Sequence, residues 1–193
     1  MHRFVLFIAL STLSLFGCDS SPQPPAPASA PVEPSVQSAA KPRTLEWDDL
    51  MPADFDPGAP FKDIDVTTLN DDDPQARELM AKLRKLWDEA PVVAALDGAR
   101  VRLPGFAVPL ETDGRTATRF LLVPYYGACI HVPPPPLNQT VLVEAPAGAS
   151  IQGVFDPVWV SGRLAVQRAT TDLANAGYTL TATEVLPYDE KQR

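Results

Sequence analysis

Apolar residues fill positions 4–16, broken only by small hydroxyl side chains, and then almost disappear until position 45, with Val32 and Val36 the only larger ones between. From there to Asp73, Leu45, Trp47, Leu50, Met51, Phe55, Phe61, Ile64 and Val66 are scattered among prolines and aspartates. Core formers mixed with turn formers predict an irregular segment clamped across a larger body. Asp73-Pro74 then supplies an N-cap followed by proline at the first helical position, and Ala76, Leu79, Met80, Leu83, Trp87 and Ala90 recur at helical spacing until Pro91 closes the helix. The apolar stripe is expected to face the domain that follows, with a partner-binding helix as the alternative.

After Pro91 the period changes. Residues 101–108 partly alternate, 119–123 form a short apolar run, and 140–144, 157–166 and 178–185 complete a set of five strand patterns. Five strands in roughly one hundred residues suit a small barrel. Gly105 and Gly162 interrupt strands where a barrel needs a bend or a close backbone approach. Residues 171–177 read as a helical turn or a loop. The expected fold class is mainly β with one helix: a five-stranded OB-like barrel, rather than a sandwich, preceded by an amphipathic helix and an irregular N-terminal clamp.

The N-terminal run has a basic start in His2 and Arg3 and is too short for the roughly 20 apolar residues that cross a bilayer. It is laid out as a signal peptide over residues 1–17. Leu15-Phe16-Gly17-Cys18 resembles the bacterial lipobox, with leucine three places before the cysteine and a small residue just before it; Phe16 is bulkier than the pattern. The resemblance implies cleavage before Cys18, lipid on its sulfur and a membrane anchor, since each buried methylene contributes about 0.8 kcal/mol. An ordinary secretory signal with a chance cysteine is the alternative. The address is the periplasm; Asp19 after the lipidated residue resembles an inner-membrane retention signal, with the outer membrane as the other destination. Residues 18–43, rich in Pro, Ala, Ser and Gln, bury too little to order themselves and form a lipidated tether. Residues 44–91 hold the clamp and helix, 92–188 the barrel, and 189–193 a polar tail.

Charge and cysteine content narrow the partners. The formal net charge is −8, and loss of Arg3 with the signal peptide makes it −9 in the mature chain. Nucleic acid and anionic lipid surfaces are therefore poor partners. With Cys18 lipidated, Cys129 is the sole remaining thiol, so no internal disulfide forms and stability rests on packing.

The most unusual stretch is PYYGACIHVPPPPLNQ, residues 124–139. Pro133, Pro134, Pro135 and Pro136 hold the backbone near polyproline II and offer no donors, giving a stiff loop. Cys129 and His131, one residue apart, face the same way in an extended backbone. Three readings compete for them. As zinc or copper ligands they need further donors, for example Glu111 or Asp156, because stable sites use three or four. As a thiol-dependent catalytic pair they need a third residue to orient the ring, with Asn138 nearby in sequence. As structural groups, Cys129 is a small buried hydrophobe and His131 bonds a carbonyl. Tyr125, Tyr126, Pro133–Pro136, Asn138 and Gln139 are candidates for a binding loop, and Tyr188 for an adjoining surface. Trp159, in an apolar strand, is expected to fill the barrel.

The stretch GACIHVPPPP (127–136) followed by Asn138-Gln139 resembles the hallmark of the domain of unknown function 3299 family of bacterial extracytoplasmic proteins. FLLVPY (120–125), WDDLMP (47–52) and VWVSG (158–162) also resemble family features, so the likeness spans residues 45–188. The resemblance brings no activity residue by residue. It implies a setting: similar proteins are encoded beside an ABC-type exporter and a histidine-rich periplasmic protein, in clusters linked to zinc supply. The leading expectation is a non-enzymatic accessory lipoprotein of a transport system; a zinc or copper protein using Cys129 and His131, and a thiol-dependent enzyme, are the alternatives.

Overall fold

A computed structural model describes residues 41–59, 62, 64, 70, 73–114, 116–128, 134–151 and 153–189. Its strands are β1 (Arg43–Thr44), β2 (Arg100–Thr112), β3 (Thr116–Val123), β4 (Val141–Ser150), β5 (Asp156–Ala165), β6 (Ala169–Thr170), β7 (Asn175–Ala176) and β8 (Tyr178–Pro187), with helix α1 at Pro74–Asp88. The five long strands close in the order β2-β3-β4-β8-β5-β2. All their pairings are antiparallel except β4 with β8, so the barrel is mixed. The fold is mainly β with one helix, and the OB-like barrel expected from the strand pattern is present.

Closure depends on β2 serving two neighbours. Its residues 100–107 pair with β5 and its residues 106–112 pair with β3. The edge that β3 leaves open at Val101 and Arg102 is taken by β1 in parallel, and the Leu45 N–H continues the ladder to the Arg102 carbonyl at 2.9 Å. A strand edge is thereby paired rather than left as a template for other chains. Gly105 sits at the handover. A Cβ there would lie 2.9 Å from the Trp47 ring and 2.8 Å from Leu122 Cγ. Gly162, beside a bulge in β5, would drive a Cβ into the Thr181 carbonyl oxygen. Both glycines answer to close approach, as their interruption of the strand patterns suggested.

The barrel is apolar on the inside and, over part of its circumference, on the outside too. Phe120 and Leu122 of β3, Val141 and Val143 of β4, and Ala107 of β2 point inward with Leu45, Leu50 and Tyr178. The alternate residues Val108, Leu121, Val123 and Leu142 form a second buried cluster, covered by Ala128, Phe155, Ala174 and Ala176 from three connections. Strands buried on both faces read as continuous apolar runs, which is why residues 120–123 show no alternation. In an OB barrel the face of the second and third strands commonly receives the ligand. Here the corresponding face of β3 and β4 is occupied by the chain itself.

Asp73 caps α1 by accepting from the Gln75 N–H at 2.8 Å, with Pro74 at the first position. Leu79 and Leu83 are buried, and Ala76, Met80 and Trp87 half-buried, so the expected stripe faces the protein. Trp87 Nε1 donates to the Pro57 carbonyl at 3.1 Å, and the helix end meets the β6–β7 hairpin where Asn175 Nδ2 donates to Asp88 at 3.0 Å.

Of the two alternatives for residues 171–177, a helical turn or a loop, the structure has the loop: it closes the β6–β7 hairpin, where Thr171 Oγ1 accepts from the Leu173 and Ala174 N–H groups and donates to the Ala174 carbonyl. One expectation needs correction. Trp159 is buried but does not fill the barrel. Val158 and Val160 take the inward positions, so alternation puts the indole outside, under Arg102 and Tyr188.

Candidate functional site

The family-like stretch leaves the barrel at the end of β3 and returns at the start of β4. After Val123 the chain turns through Pro124, Tyr125, Tyr126 and Gly127, whose φ of 85° lies in the left-handed region that glycine tolerates. Tyr126 is 73% exposed, yet its ring is held on two sides. Phe106 meets it edge-on at 6.1 Å and Phe155 lies tilted at 5.0 Å. Such aromatic pairs contribute roughly 0.5–1.5 kcal/mol beyond area burial. Tyr125 beside it is 43% exposed.

Phe155 reaches this position through an unusual backbone. Its φ is 64°, the one left-handed non-glycine residue among those described, and its N–H donates to the Ala107 carbonyl at 2.7 Å. Left-handed geometry costs a non-glycine residue about 1–2 kcal/mol, so the surrounding contacts must hold it there.

The return half of the stretch is anchored rather than displayed. Pro134 is half-buried, Pro135 and Pro136 are buried, and Leu137–Gln139 forms a 3-10 turn. Asn138 and Gln139 are buried; Asn138 Nδ2 donates to the Pro91 carbonyl at 2.8 Å, and Gln139 Nε2 donates to the Trp47 carbonyl at 2.8 Å. The two amides thus tie the loop to the end of the helix segment and to the clamp. Asn138 Oδ1 is buried with no hydrogen-bond partner. Cys129, His131 and Pro133 lie outside the described residues, as does Cys18. Among the described residues no group of three or more His, Cys, Asp or Glu is placed to hold a metal ion. Glu111, considered as a further ligand, is ion-paired with Arg119 across the β2–β3 ladder.

Next to Phe106 a cavity of about 260 Å³ opens between the rings of Trp47, Phe106 and Tyr188 and the prolines Pro104, Pro124 and Pro157. Trp47 is fixed by its indole N–H, which donates to the Pro104 carbonyl at 2.8 Å. Tyr188 stacks on Trp159 at 5.5 Å and 21°, and the Arg102 guanidinium lies 4.3 Å from the centre of the Trp159 ring on the outside of the barrel. Spacing along the chain flagged Tyr125, Tyr126 and Tyr188. It missed Trp47, Phe106 and Phe155, which come from the clamp, β2 and the β4–β5 connection. The one local signal was Trp47 within WDDLMP, which belongs to the family-like pattern.

No described helix is long and apolar enough to cross a membrane. Among the described residues, the lining of this cavity carries no titratable group beyond the Tyr188 phenol.

Fold and site define a small closed β-barrel with an aromatic outer surface at the mouth of its β3–β4 connection. A family model described as "Protein of unknown function (DUF3299)" matches residues 47–187, and the chain belongs to that family. A crystal structure of a DUF3299 family protein from Pseudomonas aeruginosa PAO1 is similar to it at 38% identity, covering 77% of this chain and 97% of that one, with a TM-score of 0.60. No curated protein matches the chain.

Proposed function

We propose that this protein is a periplasmic lipoprotein, anchored through lipid on Cys18, that serves as a non-enzymatic accessory component of a transport system linked to zinc homeostasis. The observation that carries the interaction part of this reading is Tyr126, largely exposed and yet wedged between Phe106 and Phe155. A rigid, exposed aromatic loses little freedom when a partner covers it, which is why such side chains dominate protein interfaces. The transport and zinc parts follow from the setting that the family resemblance implies.

The test is a photo-crosslinking amino acid placed at Tyr126 in the native cell. Adducts with a subunit of a membrane transporter, absent when the same group replaces exposed Thr118 on β3, are the expected result. Equal adducts at both positions, or none at Tyr126, would overturn the assignment. Mass spectrometry of the native N-terminal peptide tests the anchor separately, with an acylated Cys18 expected.

A further inference from the structure

Each of the three rings around the aromatic cavity is held from outside it. The Trp47 indole N–H is tied to the Pro104 carbonyl at 2.8 Å, and its ring rests against Gly105, where a Cβ would lie 2.9 Å away. Phe106 is braced edge-on by Tyr126 at 6.1 Å. Tyr188 stacks on Trp159 at 5.5 Å, and its N–H donates to the Pro157 carbonyl at 2.9 Å. With one face of Tyr188 covered, the cavity is left with the other face and the edge. Rings already fixed lose little freedom when a ligand enters between them.

The chemistry of the lining narrows the ligand. A volume of about 260 Å³ lies just below the roughly 300–1,000 Å³ of drug-sized sites, so the cavity admits a small head group. Among the described residues, three prolines and Gly105 complete the lining, with no charged side chain. Prolines have no N–H and the Trp47 N–H is engaged, so an anion would find only the Tyr188 hydroxyl as a side-chain donor. An ordinary ammonium would bring N–H groups that no carboxylate in the lining satisfies, at a desolvation cost. A quaternary ammonium has no N–H to satisfy, and its charge is attracted to the faces of aromatic rings.

The charges around the cavity favour the same ligand. The residues next to the lining in sequence include Glu46, Asp48, Asp156 and Asp189, and no lysine or arginine. Arg102, two residues from Pro104, lies over the Trp159 ring at 4.3 Å and lines a separate cavity with Lys41 and Glu184. In a chain of formal net charge −8, a field of this sign gathers cations and disfavours phosphate.

We propose that the cavity between Trp47, Phe106 and Tyr188 is an aromatic cage for a small, phosphate-free quaternary ammonium compound, bound through its trimethylammonium head. Shape selects the head group, the rings attract its charge, and the surrounding carboxylates raise its local concentration. Neither lipid on Cys18 nor a partner at Tyr126 enters this recognition, so it stands or falls separately from the transport reading.

The experiment titrates the full-length chain, in maltoside micelles, with choline by calorimetry. The uncharged carbon isostere of choline, in which a tert-butyl group replaces the trimethylammonium head, is titrated in parallel. Choline should bind roughly tenfold more tightly than the isostere, because only the charge distinguishes them. Y188L keeps apolar bulk but removes an aromatic face, and should lower the choline-to-isostere affinity ratio about fivefold; Y188F should restore it. F106L repeats the measurement at a second wall, and a lowered ratio is expected there too. Equal affinities for choline and the isostere would overturn the proposal, as would no choline binding at millimolar concentration or a ratio unchanged in both leucine variants. Glycerophosphocholine carries the same head beside a phosphate and should bind more weakly than choline. Tighter binding of glycerophosphocholine would make a lipid head group the ligand and overturn the phosphate-free assignment.

Discussion

The hydroxyl of Tyr178, at the start of β8, donates to the carbonyl of Leu50 at 2.8 Å, joining the last barrel strand to the clamp 128 residues earlier. The same oxygen accepts from the Val93 N–H at 2.7 Å, so one phenol binds three separate segments. Burial pushes the Tyr178 hydroxyl above its ordinary value of 10.0, against the smaller opposing effect of the Val93 bond. Y178F leaves the Val93 N–H and the Leu50 carbonyl without this partner, and is expected to cost about 1–3 kcal/mol in urea unfolding. The pH dependence has a definite sign. The folded state holds the phenol proton more tightly than the unfolded state does, so the contribution is complete below pH 10 and is lost as pH rises through the folded value. Y178F should flatten that alkaline loss, as seen by comparing urea midpoints at pH 8 and above pH 10.

Gly162 has no room for a side chain, because a Cβ would overlap the Thr181 carbonyl of the neighbouring strand. G162A is expected to destabilise by roughly 1–3 kcal/mol through forced backbone displacement. Gly153, around which a Cβ meets nothing within 4 Å, is the control. G153A should leave the thermal midpoint nearly unchanged, and equal effects at the two positions would contradict the close approach.

Asn138 presents its amide N–H to the Pro91 carbonyl from a fully buried site. In N138D a carboxylate oxygen faces that carbonyl at neutral pH, with desolvation adding to the repulsion. Protonation restores a donor. The stability gap between N138D and the natural protein should therefore narrow as pH falls from 7 towards 4, measured as the difference in urea midpoints. A gap that widens on acidification would show that the amide does not donate there.

Phe155 inverts the usual ranking of alanine over glycine. Its left-handed backbone favours glycine by about 1 kcal/mol, while either replacement loses the ring that supports Tyr126. F155G should thus unfold at a higher temperature than F155A. The reverse order would mean that the backbone relaxes out of the left-handed region once the ring is gone.

The strands and the helix were legible because each rests on local chemistry. Asp73 and Pro74 start α1 as capping requires, and Gly105 and Gly162 mark close approaches inside otherwise regular runs. What lies on the far side of a strand is not local. Trp159 sits among apolar neighbours, and only the inward placement of Val158 and Val160 puts its ring outside, under an arginine from β2. The roles of Asn138 and Gln139 were hidden for the same reason: their bonds reach partners 47 and 92 residues away. Tyr126 was visible as an aromatic in an odd loop. The two phenylalanines that brace it were not, since nothing in their own neighbourhoods announces a shared surface.

The position of β8 between β4 and β5 governs how the chain can acquire its structure. The final long strand is the keystone, and its pairing with β4 is parallel and remote in sequence. Contacts of that kind form slowly, because a long loop must close before they contribute. A ribosome or translocation pore releasing the chain from its N-terminus would hold four strands with two unsatisfied borders until the C-terminal stretch emerged. Truncation of even this last strand should therefore leave an open, adhesive sheet instead of a smaller barrel.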